Sequence, residues 1–208
     1  MRLILASSSP RRRALLAALG LAFEIVPSRI DESRPSGVPV PALAEHLALR
    51  KARDVAGRCG SALVLGADTL VAVEGRALGK PASSDEARGM LAALSGRTHE
   101  VVTAVALVEA PAGREVAEAV LSRVVMRPYS AAEIDAYLLT GESFDKAGAY
   151  AVQGAGGHLV ARVEGCYTNV VGLPVKTTAR LLRAFGVPVA DPPPKAGPGW
   201  VRGAPGPR

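Results

Sequence analysis

Residues 3–13 read Leu-Ile-Leu-Ala-Ser-Ser-Ser-Pro-Arg-Arg-Arg, and this stretch decides the fold class. The apolar residues 3–6 predict a short buried strand. Ser9 is a favourable N-cap residue and Pro10 suits the first helical position, so a helix should follow at once and end at Gly20. A strand that passes directly into a helix is typical of an α/β protein, in which helices flank a sheet.

The rest of the chain continues this alternation of strands and helices. Residues 62–65 and 70–73 are apolar runs around Asp68, and they predict either a buried strand pair or one bent strand. Ser-x-x-Glu capping boxes at Ser83 and Ser130 predict helices that reach Leu94 and Leu138. The other predicted segments are a strand at 23–27, a helix from Ala42 to Gly57 or Gly60 with Lys51 on its more polar side, hairpin strands at 101–108 and 115–126, a strand pair at 150–152 and 159–163, and a final helix over 174–185.

Length and composition bound the domain organisation. A chain of 208 residues with 49% hydrophobic residues can bury a sizeable core, and we predict one domain over residues 1–190. Residues 191–208 are rich in Pro and Gly without apolar periodicity, which predicts a disordered tail. The two cysteines form no CxxC pair, and no segment is typical of a signal peptide or a membrane span. We therefore expect a cytoplasmic protein.

The net charge of +6 indicates an acidic partner, which could be nucleic acid, a membrane surface or a small anion such as a nucleotide. Aromatic residues make up only 4% of the chain, so the stacking platforms of single-strand binders are scarce. Neither zinc-finger spacing nor an arginine-rich stripe occurs. We expect a small anionic ligand, with no nucleic-acid partner and no membrane partner.

The junction between the first strand and the first helix is a candidate anion site. Backbone N–H groups and the positive end of the helix dipole point towards the same place there. The Ser7 hydroxyl and the guanidinium groups of Arg11 and Arg12 match phosphate oxygens, which favours a polyphosphate over a carboxylate. The chain has no GxxxxGK[ST] loop and no complete GxGxxG. The alternative is a capped helix with solvated arginines.

Asp68 is the strongest single candidate among the acids, because it lies between two apolar runs where a carboxylate is rarely found without a function. It could bind a hard divalent cation, act as general base for a water molecule, or do both. The alternative is an aspartate at a strand end that accepts a hydrogen bond from a neighbouring loop. Glu32 and Asp31, in a long polar loop, are candidate second carboxylates or solvated loop residues.

Three further loop residues carry suitable chemistry. Lys80 precedes a proline and could be held against a phosphate, and Lys146 could neutralise one. The amide of Gln153 can both donate and accept hydrogen bonds at a base edge. Taken alone, all three could be ordinary loop residues. We expect the histidines, His99 included, to be structural because none has a partner at metal-ligand spacing.

Together, these segments resemble the Maf family of nucleotide pyrophosphatases from residue 3 to about residue 185. The motifs that carry the resemblance are, in order, residues 5–12 (LASSSPRR), 67–69 (ADT), 78–81 (LGKP), 96–103 (GRTHEVVT), 141–142 (GE) with 145–154 (DKAGAYAVQG), and 169–174 (NVVGLP). The resemblance implies a mixed, elongated sheet flanked by helices, similar to inosine triphosphate pyrophosphatases, with a nucleotide cleft between two lobes. It also implies a Mg²⁺ or Mn²⁺ requirement, and many members form homodimers.

The resemblance further implies a role for each matching residue. Asp68 corresponds to the proton acceptor, and Arg11, Thr69 and Gln153 correspond to the positions that mark the subfamily acting on dTTP and UTP. The positions that contact phosphate or metal in the family are Ser7, Arg12, Glu32, Lys51, Lys80 and Lys146, with Glu32 and Asp68 as the metal ligands. The implied reaction is hydrolysis of dTTP and UTP to the monophosphate and pyrophosphate.

Two alternatives stay open at this point. A sister subfamily acts on 7-methyl-GTP and carries an acidic residue where Gln153 stands, so another modified nucleotide could be the substrate. The chain could also be a nucleotide-binding regulator of cell division without significant turnover.

Overall fold

The computed structural model describes residues 1–33 and 37–192, so most of the predicted tail, residues 193–208, lies outside the described residues. The elements in chain order are β1 (Leu3–Leu5), α1 (Pro10–Ala17), β2 (Glu24–Ile25), α2 (Val40–Ala56), β3 (Ala62–Val73), β4 (Arg76–Leu78), α3 (Ser84–Leu94), β5 (Thr98–Ala110), β6 (Glu115–Met126), α4 (Ala131–Leu138), β7 (Val160–Glu164), α5 (Tyr167–Val171) and α6 (Val175–Ala184). Within the described ranges, no helix has the length and apolar character needed to cross a membrane.

The strands form one mixed sheet in the order β2-β1-β3-β5-β6-β7, with β4 paired to β3. The β1 strand pairs in parallel with β2 and β3, and the remaining pairs are antiparallel. The strands β3, β5 and β6 are 12, 13 and 12 residues long, which makes the sheet elongated. The predicted mixed sheet flanked by helices is confirmed.

The alternation of side chains along β3 explains the two lobes. Even-numbered residues such as Val64 and Leu70 pack against α2 on one face of the sheet. On the other face, Leu65 packs with α1 and α6, whereas Val71 packs with α3 and α4. Two helical lobes therefore share one face, and Thr69 lies on β3 between their two cores.

A gap in strand pairing opens the sheet at the same place. The β1 strand pairs with Leu63–Leu65, and β4 pairs with Val71–Val73. Among the described strands, residues 66–70 of β3 pair with β5 alone. Asp68 and Thr69 point to opposite faces of β3, but both lie in this gap and line the same cleft.

Of the predicted strand pair, the strand at 159–163 is confirmed as β7, whereas the strand at 150–152 is wrong. Gly148 and Ala149 have φ values of 71° and 61°, so the backbone turns through left-handed conformations just before residue 150. Residues Gly154–Leu159 then form a 3₁₀ helix, and β7 pairs with β6 instead. The three-residue β4 and the five-residue α5 were not predicted, because elements this short leave little periodic signal.

Gly66 sets the distance between β3 and α2. A Cβ atom at Gly66 would lie 2.3 Å from the Ala48 carbonyl oxygen and 2.9 Å from the Ala52 nitrogen. Because both are helix backbone atoms, Gly66→Ala must push α2 away, and we expect it to lower the free energy of unfolding by about 1–3 kcal/mol. Urea denaturation measures this loss. Gly89→Ala, in open space on α3, is the control and should stabilise the protein slightly. Equal changes in stability for the two variants would show that the close approach of β3 and α2 does not require glycine at position 66.

Candidate active site

The candidate residues converge on one cleft of about 380 Å³, within the usual size range of small-molecule sites. The cleft opens at the gap in β3, between the start of α1 and the loops that follow β4 and α4. All ten residues singled out from the sequence line it: Ser7, Arg11, Arg12, Glu32, Lys51, Asp68, Thr69, Lys80, Lys146 and Gln153. Five of them are cationic. With Asp145, the cleft has three carboxylates, so positive charge is in excess.

The start of α1 forms one wall of the cleft. Ser9 caps the helix by accepting a hydrogen bond from the Arg12 nitrogen, and Ser7 Oγ accepts one from the Ser9 nitrogen. The Arg12 side chain is held by three bonds, which it donates to the Gly172 oxygen at 3.0 Å, Ser7 Oγ at 3.3 Å and Thr69 Oγ1 at 3.1 Å. The alternative of solvated arginines therefore fits Arg13, which is exposed, but not Arg12.

The Arg12 guanidinium keeps its positive charge beside the cleft. Burial lowers the pKa of the Arg12 guanidinium, while the negative charges of Asp68 and Glu32 oppose that shift. An arginine starts from so high a pKa that it stays protonated at neutral pH. Arg12 can thus offer a pre-oriented guanidinium to an anionic ligand.

Lys51, Asp68 and Glu32 form a charged cluster on the α2 side of β3. Lys51 was predicted on the more polar side of its helix, and this is wrong: the residue is only 5% exposed and points into the protein. Its ammonium lies 2.7 Å from Asp68 Oδ1 and 2.8 Å from Glu32 Oε1. The sequence pattern misled because a buried lysine requires carboxylate partners from distant segments.

The two carboxylates differ in exposure. Asp68 is 5% exposed, and its Oδ2 atom is buried without a hydrogen-bond partner among the described residues. Half of the Glu32 side chain is exposed. Partial burial raises the pKa of Glu32, but the hydrogen bond and charge of Lys51, with the charges of Lys80 and Arg12, outweigh it and leave that pKa lowered. Glu32 is therefore ionised at neutral pH.

The donor set fits a magnesium-type ion better than a transition metal. Within residues 1–33 and 37–192, no group of three or more His, Cys, Asp and Glu side chains is placed to hold a metal ion. Mg²⁺ commonly binds through one or two carboxylates and completes its shell with water and substrate phosphates. Glu32 and Asp68, whose carboxylates both lie within 2.8 Å of the Lys51 ammonium, supply that number of carboxylates.

The opposite wall carries Lys146, Gln153 and, from the β4 side, Lys80. The Lys146 ammonium donates to Asp145 Oδ1 at 2.5 Å and to the Glu142 carbonyl oxygen, and Arg11 lies 3.7 Å from the same aspartate. A backbone hydrogen bond of 3.0 Å from the Gly148 nitrogen to the Gly79 oxygen joins the loop that carries Lys146 to the loop that carries Lys80. The two lysines are therefore held on connected segments.

His99 has the structural setting expected from the sequence. It is 2% exposed, and its Nε2 atom lies 2.7 Å from the Tyr150 hydroxyl. Burial lowers the pKa of His99 to about 4, so the ring is neutral at pH 7. Burial also raises the pKa of Tyr150 above its ordinary value. This uncharged pair supports the loop that carries Gln153.

Two buried polar residues near the cleft are functional candidates that the sequence does not indicate. Thr103 and Asn169 are both fully buried, and hydrogen bonds link them to Thr69 at the cleft. The only signal in the sequence was their position at the end of one motif and the start of another. No periodicity distinguishes such polar residues from ordinary strand and helix residues.

Comparison with solved structures gives only distant similarity. The structure of the Staphylococcus aureus Ham1 protein matches 61% of this chain and 72% of its own chain, with 13% identity and a TM-score of 0.45. A similarity at this level gives no information about the site.

Comparison with characterised sequences gives much closer relatives. A protein of Moorella thermoacetica named dTTP/UTP pyrophosphatase is 57% identical over 188 residues, covering 90% of this chain and 97% of that protein. Proteins with the same name from Pelotomaculum thermopropionicum and an Anaeromyxobacter species are 48% and 50% identical, and they cover 88% and 98% of this chain and 96% and 98% of their own lengths. The family model described as Maf-like protein matches residues 2–185. The chain therefore belongs to the Maf-like protein family.

Proposed function

We propose that this protein is a nucleoside triphosphate pyrophosphatase that hydrolyses dTTP and UTP to the nucleoside monophosphate and pyrophosphate. The observation that carries the proposal is the convergence of a helix start with Arg11 and Arg12, three lysines and a buried carboxylate on one cleft. The names of relatives at 47–57% identity, which cover most of this chain, support the same substrates.

The charges of the cleft suggest how the triphosphate would be bound. The phosphates would lie against the start of α1 and Arg12, with Lys80 and Lys146 on the other side. Lys51 lies beside Asp68 and would neutralise part of the charge that develops on the phosphates. Binding would therefore depend on the cations of both walls.

Asp68 is the proposed general base. Its unpartnered Oδ2 atom would take a proton from a water molecule, whose oxygen then forms a bond to the α-phosphorus. The bond from that phosphorus to the bridging oxygen breaks, and its electron pair leaves with pyrophosphate. The cations of the cleft neutralise the developing charge of the leaving group.

A divalent cation, Mg²⁺ or Mn²⁺, is part of the proposal, with Asp68 and Glu32 as its protein ligands. When bound, such an ion polarises phosphate oxygens and neutralises negative charge on them. Lys51 holds one oxygen of each carboxylate within 2.8 Å, which keeps the two side chains close together. We expect chelation to abolish turnover.

Identification of the products tests which bond is cleaved. Phosphorus NMR of a reaction with UTP should show UMP and pyrophosphate in equal amounts from the start. Release of UDP and inorganic phosphate would exclude attack at the α-phosphorus and, with it, the role of Asp68 as general base for that attack.

Gln153, the only glutamine of the chain, is the proposed selector of the base. Gln153→Glu replaces a side chain that donates and accepts with an anion that only accepts. We expect kcat/KM for dTTP and UTP to fall about 10- to 100-fold, because a hydrogen-bond partner left unpaired costs about 1–3 kcal/mol. Relative activity on 7-methyl-GTP should rise.

Gln153→Met is the matched control, since it removes the amide without adding charge. It should lower activity on dTTP and UTP without favouring 7-methyl-GTP. Unchanged ratios among the three substrates in both variants would remove Gln153 from base selection.

The homodimer, the cytoplasmic location and the absence of a nucleic-acid partner stay predictions. Light scattering at several protein concentrations would determine the oligomeric state. Gel-shift titration with single- and double-stranded DNA would test for nucleic-acid binding.

A further inference from the structure

Thr103 connects the cleft to the protein interior without lining the cleft itself. It is fully buried on β5, and its hydroxyl donates to the Asn169 carbonyl oxygen at 2.8 Å. The same hydroxyl oxygen lies 2.9 Å from Thr69 Oγ1. A hydroxyl has one hydrogen, and a carbonyl oxygen can only accept. The hydrogen of Thr103 is therefore committed to Asn169, and Thr69 must donate its own hydrogen to Thr103.

The direction of the Thr69–Thr103 hydrogen bond determines whether Thr69 can donate to a ligand in the cleft or only accept. Arg12 Nη2, which can only donate, lies 3.1 Å from Thr69 Oγ1 and occupies one of its lone pairs. With its hydrogen used by Thr103, Thr69 has a single lone pair left. Since Thr69 lines the cleft and is partly exposed, it presents to a ligand a hydrogen-bond acceptor and never a donor.

The far end of this chain of hydrogen bonds is rigid. The Asn169 side chain accepts from the Thr103 nitrogen at 2.9 Å and donates to the Val101 oxygen and Ser122 Oγ, both at 2.9 Å. Asn169 is completely buried, and Ser122 is 1% exposed. Because the side chain of Asn169 is fixed on β5 and β6, its carbonyl group stays in place to receive the hydrogen of Thr103.

We propose that Thr103 is a positioning residue that acts only through Thr69. By fixing Thr69 as an acceptor, it holds Arg12 in place and selects a nucleotide that presents an N–H or O–H donor at this point. The inference rests on the proposed function, because the ligand is the nucleoside triphosphate of the same cleft.

A double-mutant cycle tests the proposal. Thr103→Val keeps the shape of the side chain but removes the acceptor for Thr69, and we expect kcat/KM for UTP to fall about tenfold, mainly through KM. Thr103→Ser keeps the hydroxyl and should recover nearly all activity. If Thr103 acts only through Thr69, the double variant Thr69→Val/Thr103→Val should be no worse than Thr69→Val alone.

Thr178→Val is the matched control for the loss of a buried hydroxyl. Thr178 is fully buried on α6, and its hydroxyl also donates to a carbonyl oxygen, that of Pro174. This variant should show a similar fall in Tm with unchanged kcat and KM. Multiplicative losses in the double variant, failure of serine to rescue, or an equal kinetic effect of Thr178→Val would overturn the proposal.

Calorimetry with the non-hydrolysable α,β-imido analogue of UTP separates this inference from the proposed function. If the wild-type protein binds the analogue but releases no pyrophosphate from dTTP or UTP, the proposed function fails. The double-mutant cycle is then measured as Kd for the analogue, and we expect the same non-additivity. If the wild-type protein does not bind the analogue, both the proposed function and the role of Thr103 are overturned.

Discussion

Replacing Asp68 with asparagine should lower the rate of pyrophosphate release by about 10²–10⁴-fold, the usual contribution of a positioned general base. Asparagine has nearly the same shape but cannot accept the proton of the attacking water. The Kd for the non-hydrolysable analogue should change much less, because the cations that bind phosphate remain. Single-turnover measurements separate the two effects.

Asp31→Asn is the control for Asp68→Asn. It makes the same chemical change at an exposed aspartate next to Glu32. The Oδ1 atom of Asp31 accepts a hydrogen bond from the Ser33 nitrogen. We expect its turnover to stay within twofold of the wild-type rate, since Asp31 does not line the cleft. Equal losses in both variants, or full activity in Asp68→Asn, would exclude Asp68 as the base.

Lys51→Met should produce the largest loss of stability. The substitution leaves the 5%-exposed Asp68 carboxylate without its cationic partner, and breaking one side of a buried ion pair typically costs about 3–5 kcal/mol. Turnover should also fall, because the charge beside the reacting phosphates is lost. Urea denaturation in the presence of a chelator measures the free energy of unfolding without a contribution from metal binding.

Two further variants show whether the buried charge is the cause. Adding Asp68→Asn to Lys51→Met removes the unpaired charge and should recover part of the lost stability. Arg53 is on the same helix as Lys51, and its exposed side chain pairs with Glu115 at the start of β6. Arg53→Met breaks this pair and should cost less than about 1 kcal/mol. If Lys51→Met costs no more than Arg53→Met, the buried cluster is not a stability determinant.

Much of the fold could be predicted because long elements have strong local signals. The strands β5 and β6 follow from extended β-branched runs, and α4 follows from its Ser130 capping box, which forms both of its hydrogen bonds. Ser9 and Pro10 mark the start of α1 correctly. The strand predicted at 150–152 is absent, because an apolar run does not reveal the left-handed backbone conformations of Gly148 and Ala149 just before it.

The candidate site could be predicted residue by residue but not as an arrangement. Each functional residue type was visible in a motif, and the structure places all of them around the gap in β3. The gap itself depends on where β1 ends and β4 begins, which is a property of tertiary pairing. The burial of Lys51 and the direction of the Thr69–Thr103 bond likewise depend on partners far away in sequence.

The most direct test of the proposed function is pyrophosphate release from a panel of dTTP, UTP, CTP, 7-methyl-GTP and the standard purine triphosphates, first with Mg²⁺ and then with chelator. Running the full chain beside a version truncated after Ala190 would show whether the tail affects the result. We predict metal-dependent, catalytic turnover led by dTTP and UTP. Preference for 7-methyl-GTP would contradict the role given to Gln153, and only stoichiometric release or none would contradict the assignment as a pyrophosphatase and favour a nucleotide-binding regulator.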